Sequence, residues 1–263
     1  MQNIFAWLVV GLCGGLACTS LMAMPQVEGS TVDQAVSEFI TQNYGQWIAV
    51  RKGWQPAAGS AIYQPCASMR ITAADGPRYL LAMCGDTEES VRDGMPGMDA
   101  DATPGDIDLY VLKPTPDGKG LESVQSEENI DSGHGGMAGE VSIQRLGPHF
   151  YGFVIEESDA MQGYEQTMRR IYLPRDGKWL LAAPRINVSL NNEESVECGR
   201  DEHACEKLDF AMTPDTTSLA DIYPLRVTET GSQGGEPISS SYTLTFDAKK
   251  GTYVVPTAVS EGY

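Results

Sequence analysis

Three stretches of this sequence share one plan: an apolar segment, a turn rich in Pro, Asp, Lys or Gly, and a second apolar segment. They are LYVLKPTPDGKGLESV at residues 109–124, RRIYLPRDGKWLLAA at 169–183 and YTLTFDAKKGTYVV at 242–255. Each reads as an antiparallel hairpin, because Asp-Gly and Pro-rich turns reverse a chain whose flanks are apolar. Residues 78–84 form another short apolar run, and residues 141–145 and 150–156 flank Gly147-Pro148. The hairpins could be repeats of a sandwich, barrel or small propeller. Outside the turns no residue pattern recurs, so ordinary hairpins are expected. One helix is expected, over residues 32–44 behind a Ser30 or Thr31 cap, with Val36, Phe39 and Ile40 on one face. The expected fold is mainly β (α+β): antiparallel sheets with hairpins and one N-terminal amphipathic helix. Residues 85–106, 126–139 and 157–163 read as loops.

Residues 4–16 are almost all apolar, and small residues lead to Ala23. Such a run is short for a bilayer span and suits the apolar segment of a signal peptide. Cleavage after residue 23 leaves residues 24–263 as a β-rich periplasmic domain, or two subdomains, with no membrane span. The alternative is a lipid anchor at Cys18, which follows Leu16-Ala17.

The chain carries a formal net charge of −18, and residues 1–23 contain no acid, lysine or arginine. The excess acid therefore lies beyond the leader. It repels phosphate backbones and anionic membranes, so a nucleic-acid partner is not expected. A basic protein or a cation is the favoured partner.

Four cysteines lie beyond residue 23: Cys66, Cys84, Cys198 and Cys205. An even number in an exported chain implies two disulfides. Sequence neighbours suggest Cys66–Cys84, tying adjacent strands, and Cys198–Cys205, closing a small loop; three connectivities are open. The rival is a zinc site using Cys198, His203 and Cys205.

Between Asp86 and Asp108 the acids Glu88, Glu89, Asp93, Asp99, Asp101 and Asp106 accumulate against a single Arg92. Oxygen-rich loops of this kind hold Ca²⁺, although the spacing does not match an EF-hand. The same acids would suit a basic partner. A second acidic stretch holds Glu156, Glu157, Asp159 and Glu165 beside Met161 and Tyr164. Aromatics there would supply apolar anchors and the carboxylates would steer a basic surface. Asp131-Ser132-Gly133-His134-Gly135-Gly136 puts hydrolase residue types together, but no G-x-S-x-G elbow accompanies them.

The leader, the acidic balance, the paired cysteines and strand-loop-strand stretches such as FYGFVIEESDAMQGYEQTMRRIYL give a layout that resembles small periplasmic immunity proteins and inhibitors from Gram-negative bacteria. The resemblance implies a non-enzymatic binding protein that occludes a secreted toxin or cell-wall hydrolase, with no obligate cofactor. Its contact residues would be Asp93, Asp99, Asp101, Asp106, Glu156, Glu157, Asp159 and Tyr164. Two alternatives stand beside it: an exported hydrolase using His134, and a Ca²⁺-stabilised envelope structural protein.

Overall fold

The computed structural model of the chain describes residues 34–57, 61–73, 75–87 and 103–263. The leader, Cys18, the helix cap at Ser30 or Thr31, and Glu88, Glu89, Asp93, Asp99 and Asp101 lie outside the described residues.

Two antiparallel sheets dominate. The first has six strands: β1 (Trp47–Ile48), β2 (Gly53–Trp54), β3 (Ala61–Ala73), β4 (Gly76–Thr87), β5 (Gly105–Pro114) and β6 (Leu121–Ser132). The second has seven: β7 (Glu140–Arg145), β8 (Tyr151–Met161), β9 (Tyr164–Arg175), β10 (Lys178–Asn191), β11 (Glu206–Pro214), β12 (Leu225–Gln233) and β13 (Glu236–Leu244). Within each sheet the strands neighbour one another in chain order, as short connections favour. A small ribbon, β14 (Phe246–Asp247) with β15 (Thr252–Tyr253), follows. The three sequence hairpins fall in different places: β5–β6 in one sheet, β9–β10 in the other, and the last across the end of β13 and the ribbon. They are ordinary hairpins rather than repeated units.

Helix α1 (Gln34–Tyr44) buries Val36, Phe39, Ile40 and Tyr44, which helical spacing places on one face. That face packs on Leu81, Met83, Tyr110 and Leu112 of the first sheet. The opposite face of the same sheet presents Leu80, Ala82, Ile107 and Leu109 to Phe153, Ile155 and Tyr172 of the second sheet. The first sheet is thus covered on both sides, so residues 80–83 are apolar throughout rather than alternating. A further core joins Val154, Ile171 and Leu173 to Phe210, Val227 and Leu244, and Tyr253 and Val259 close it. Strand β10 crosses this region with three register shifts, the irregularities that let a strand bend.

Several expectations need correction. Residues 157–163 are not a loop: β8 runs to Met161 and only Gln162 and Gly163 turn the chain into β9. Its outer half is polar yet extended because cross-strand partners hold it, such as Ser158 Oγ against Thr167 Oγ1 at 2.8 Å. Residues 126–132 likewise belong to β6. A second helix exists, α2 (Val196–Arg200), one turn long. Strands β11 and β12 lie where no strand was expected, whereas β3 is the strand implied by a Cys66–Cys84 tie. Both neighbour disulfides are present: Cys66–Cys84 ties β3 to β4, and Cys198–Cys205 closes the loop after β10. The cysteines of the proposed zinc set are therefore bonded to each other, and no thiolate remains there for a metal. Among the described residues, no helix is long and apolar enough to cross a membrane.

Candidate functional site

The tip of the β8–β9 hairpin is built around Gln162 and Gly163, both at positive φ, 56° and 85°. This is the backbone twist that two-residue hairpin turns require. A Cβ on Gly163 would lie 2.2 Å from the carbonyl oxygen of Glu194, so the turn presses directly on the segment after β10. That segment is rigid for local reasons. Ser195 caps α2 by accepting a hydrogen bond from the Cys198 amide at 3.1 Å. Asp201 caps the following 3-10 turn, and the Cys198–Cys205 bond closes both. Glu197 of α2 then accepts a 2.7 Å hydrogen bond from the Tyr164 hydroxyl.

A second wall comes from the tail. Asn187 Nδ2 donates to the Glu261 carbonyl at 2.5 Å. Gln166 Oε1 accepts from Arg185 Nη2 at 2.7 Å and from the Tyr263 amide at 3.2 Å. The Tyr263 ring meets Tyr164 edge-on, 4.7 Å between centroids. Asp159, Met161, Gln162, Tyr164, Gln166 and Tyr263 together line a cleft of about 360 Å³. The hydrogen bond to Glu197 pushes the Tyr164 phenol up and holds the Glu197 carboxyl down. Burial, reinforced by Glu206, raises the Tyr263 phenol. Tyr164 therefore keeps its proton and directs it at Glu197. Met161 is 68% exposed at the mouth.

The other expected site residues are placed differently. Glu157 pairs with Arg170 at 2.7 Å and accepts from Ser132 Oγ and the Gly133 amide at 3.1 and 3.0 Å. Glu156 pairs with the buried Arg169 at 3.3 Å. These two carboxylates are engaged within the fold, whereas no ion pair involves Asp159 among the described residues. Asp106 sits at the start of β5, where its carboxylate accepts from Tyr63 Oη at 3.4 Å. Its register partner is Asp131, whose carbonyl accepts from Arg170 Nη2 at 2.6 Å. Asp106 and Glu157 consequently lie at the same end of the sandwich, although they come from different sheets.

The acids of the 85–108 stretch that are described diverge. Asp86 accepts from the Ala138 amide at 2.9 Å, and burial raises its carboxyl. Asp108 is buried under α1, where Tyr44 Oη donates to it at 2.5 Å and the Asn129 amide at 2.7 Å. His134 is exposed in a turn closed by the Met137 amide on the His134 carbonyl, 3.1 Å. It borders a cleft of about 240 Å³ with Glu156, Glu157, Ser158 and Thr167. Both glutamates there are already paired with arginines.

Sequence reasoning missed Gln166, Glu197 and Tyr263. Tyr263 lies 97 residues from Gln166, so no local pattern could link them. A Ser195 cap ahead of Cys198 was the only legible hint of α2. Comparison with protein-family models, with curated proteins and with solved structures finds no match to this chain.

Proposed function

We propose that the chain is an exported binding protein that neutralises a basic secreted toxin or cell-wall hydrolase by occluding it, as an immunity protein does. The observation that carries the reading is the placement of the unpaired Asp159 beside exposed Met161 and the two tyrosines, on a chain of net charge −18. Acidic fields steer a basic partner to the surface, and aromatic anchors hold it there. Occlusion needs shape and charge rather than a reactive group, so it makes no demand on His134. The two disulfides and the apolar leader support an oxidising compartment, for which we propose the periplasm. By charge alone, Asp93, Asp99, Asp101 and Asp106 are proposed as further contacts for a basic partner.

The test is protection. Effectors encoded beside this chain are sent to the periplasm with and without it, and survival is scored. Rescue by the wild type, lost with Asp159→Lys combined with Tyr164→Ala, is the expected result. An absence of rescue, with no inhibition of any basic hydrolase by the purified protein, sinks the reading. An activity abolished by His134→Ala in a folded protein would replace it with the hydrolase reading. A chelator-sensitive Tm would favour the Ca²⁺-stabilised structural one.

A further inference from the structure

We infer that the cleft between the β8–β9 hairpin and Tyr263 receives a single arginine or lysine side chain from the partner; the inference rests on the binding-protein reading above. Four features converge on a cation carried by an aliphatic stem. The first is the pair of tyrosine rings, packed edge to face with centroids 4.7 Å apart, both of which line the cleft. Aromatic faces are electron-rich and attract guanidinium and ammonium groups. The second is where the Tyr164 phenol points. Tyr164 donates to Glu197 at 2.7 Å, so its hydroxyl proton is committed to a carboxylate. That carboxylate adds negative potential behind the Tyr164 ring and leaves its phenol no proton to offer an anion.

The third feature is Asp159, which lines the cleft without an ion-pair partner among the described residues. A carboxylate accepts two parallel hydrogen bonds from a guanidinium, or one charge-assisted bond from an ammonium. The fourth is Met161, exposed to 68% at the mouth. Its flexible thioether covers methylene groups of many shapes. The cleft volume, about 360 Å³, falls at the small end of ligand sites and suits one side chain rather than a folded element. Asp159 and the ring faces disfavour an anion, and Arg185, the cation beside the lining, is turned to Gln166 Oε1 at 2.7 Å. The walls are also set in advance. The Cys198–Cys205 loop fixes Glu197, the close approach of Gly163 to Glu194 fixes the turn, and Gln166 fixes Tyr263 through its amide. Little ordering is left for binding to impose, which favours affinity.

The experiment is a titration of the intact, disulfide-bonded protein with N-acetyl-arginine amide, read through the Met161 methyl resonance, assigned with Met161→Leu. N-acetyl-citrulline amide, the uncharged isostere, and N-acetyl-norleucine amide, the apolar stem alone, are run in parallel. The arginine compound is expected to shift the resonance saturably, and citrulline to bind about tenfold more weakly or worse. Asp159→Asn should weaken the arginine compound by a similar factor without moving Tm, and Tyr164→Leu should abolish the response. Equal binding of citrulline or norleucine, or no saturable shift up to millimolar probe, overturns the inference. Its failure is separable from failure of the functional reading. A partner bound equally by wild type and Asp159→Asn sinks only the cleft. Arginine binding in a protein that protects against no effector sinks only the function.

Discussion

Glu157 on β8 and Arg170 on β9 form a 2.7 Å ion pair that ties the second sheet to the first. The glutamate takes Ser132 Oγ and the Gly133 amide, and the arginine reaches the Asp131 carbonyl. Both side chains are largely buried, at 12% and 19% exposure. Removing one partner strands the other charge and several donors. Glu157→Gln should therefore cost about 3 kcal/mol, read from urea unfolding, and Glu157→Leu with Arg170→Met should cost less than the single change. A single mutant as stable as wild type would show that the pair does not bind the sheets.

Beneath α1, Asp108 is 5% exposed and has tyrosines rather than cations around it. Burial raises its carboxyl, against the opposing effect of the Tyr44 hydrogen bond, and Glu128 and Asp106 add to the rise. A raised folded-state pKa means the folded protein holds the proton more tightly. The stabilisation is complete below the unfolded pKa of about 3.9 and disappears as pH rises through the folded value. Asp86 shifts in the same direction, so the informative quantity is the difference between wild type and Asp108→Asn. The wild type should lose stability relative to the variant as pH rises from about 4. A difference that does not change with pH contradicts this.

Tyr44→Phe leaves the Asp108 carboxylate without its short donor and should cost about 1–3 kcal/mol, more at pH 7 than at pH 4. Unfolding in denaturant at the two pH values provides the comparison.

The Cys198–Cys205 loop spans 7 residues and the Cys66–Cys84 loop 18. Chain-entropy arguments assign about 2.5 kcal/mol to the shorter bridge and about 3 kcal/mol to the longer. The two differ more in what they hold. Cys198→Ser with Cys205→Ser should loosen Glu197 and so weaken binding at the Tyr164 cleft, whereas the Cys66 and Cys84 pair of substitutions should lower Tm and leave the cleft intact. Differential scanning calorimetry and the Met161 methyl titration separate the two effects.

Gly163 combines a φ of 85° with a 2.2 Å approach of any added Cβ to Glu194. Gly163→Ala should destabilise by more than about 1 kcal/mol and displace the hairpin tip. An unchanged Tm and an unchanged Tyr164 environment would refute the close approach.

Hydrophobic period and turn chemistry revealed much of this architecture. The amphipathic spacing of Val36, Phe39 and Ile40 marked α1, and the Asp-Gly and Pro-rich turns marked β5–β6 and β9–β10, because those signals are local. Neighbouring cysteines suggested both bridges for the same reason. The outer half of β8 was not legible: Glu157 to Asp159 are polar, and only partners on β9 make them a strand. The β11–β12 pair was hidden similarly, since its alternation counts only against the sheet that buries it. At the candidate site, Asp159 and Tyr164 could be nominated from composition. Their separation from Glu156 and Glu157, which bind arginines, could not. Gln166, Glu197 and Tyr263 enter the cleft through contacts between distant segments. Local patterns along the chain set the strongly periodic elements, the charge and the pairing of neighbouring cysteines. Which carboxylates are neutralised and which stay unpaired emerges from folding, because ion pairing depends on distance in space rather than along the chain.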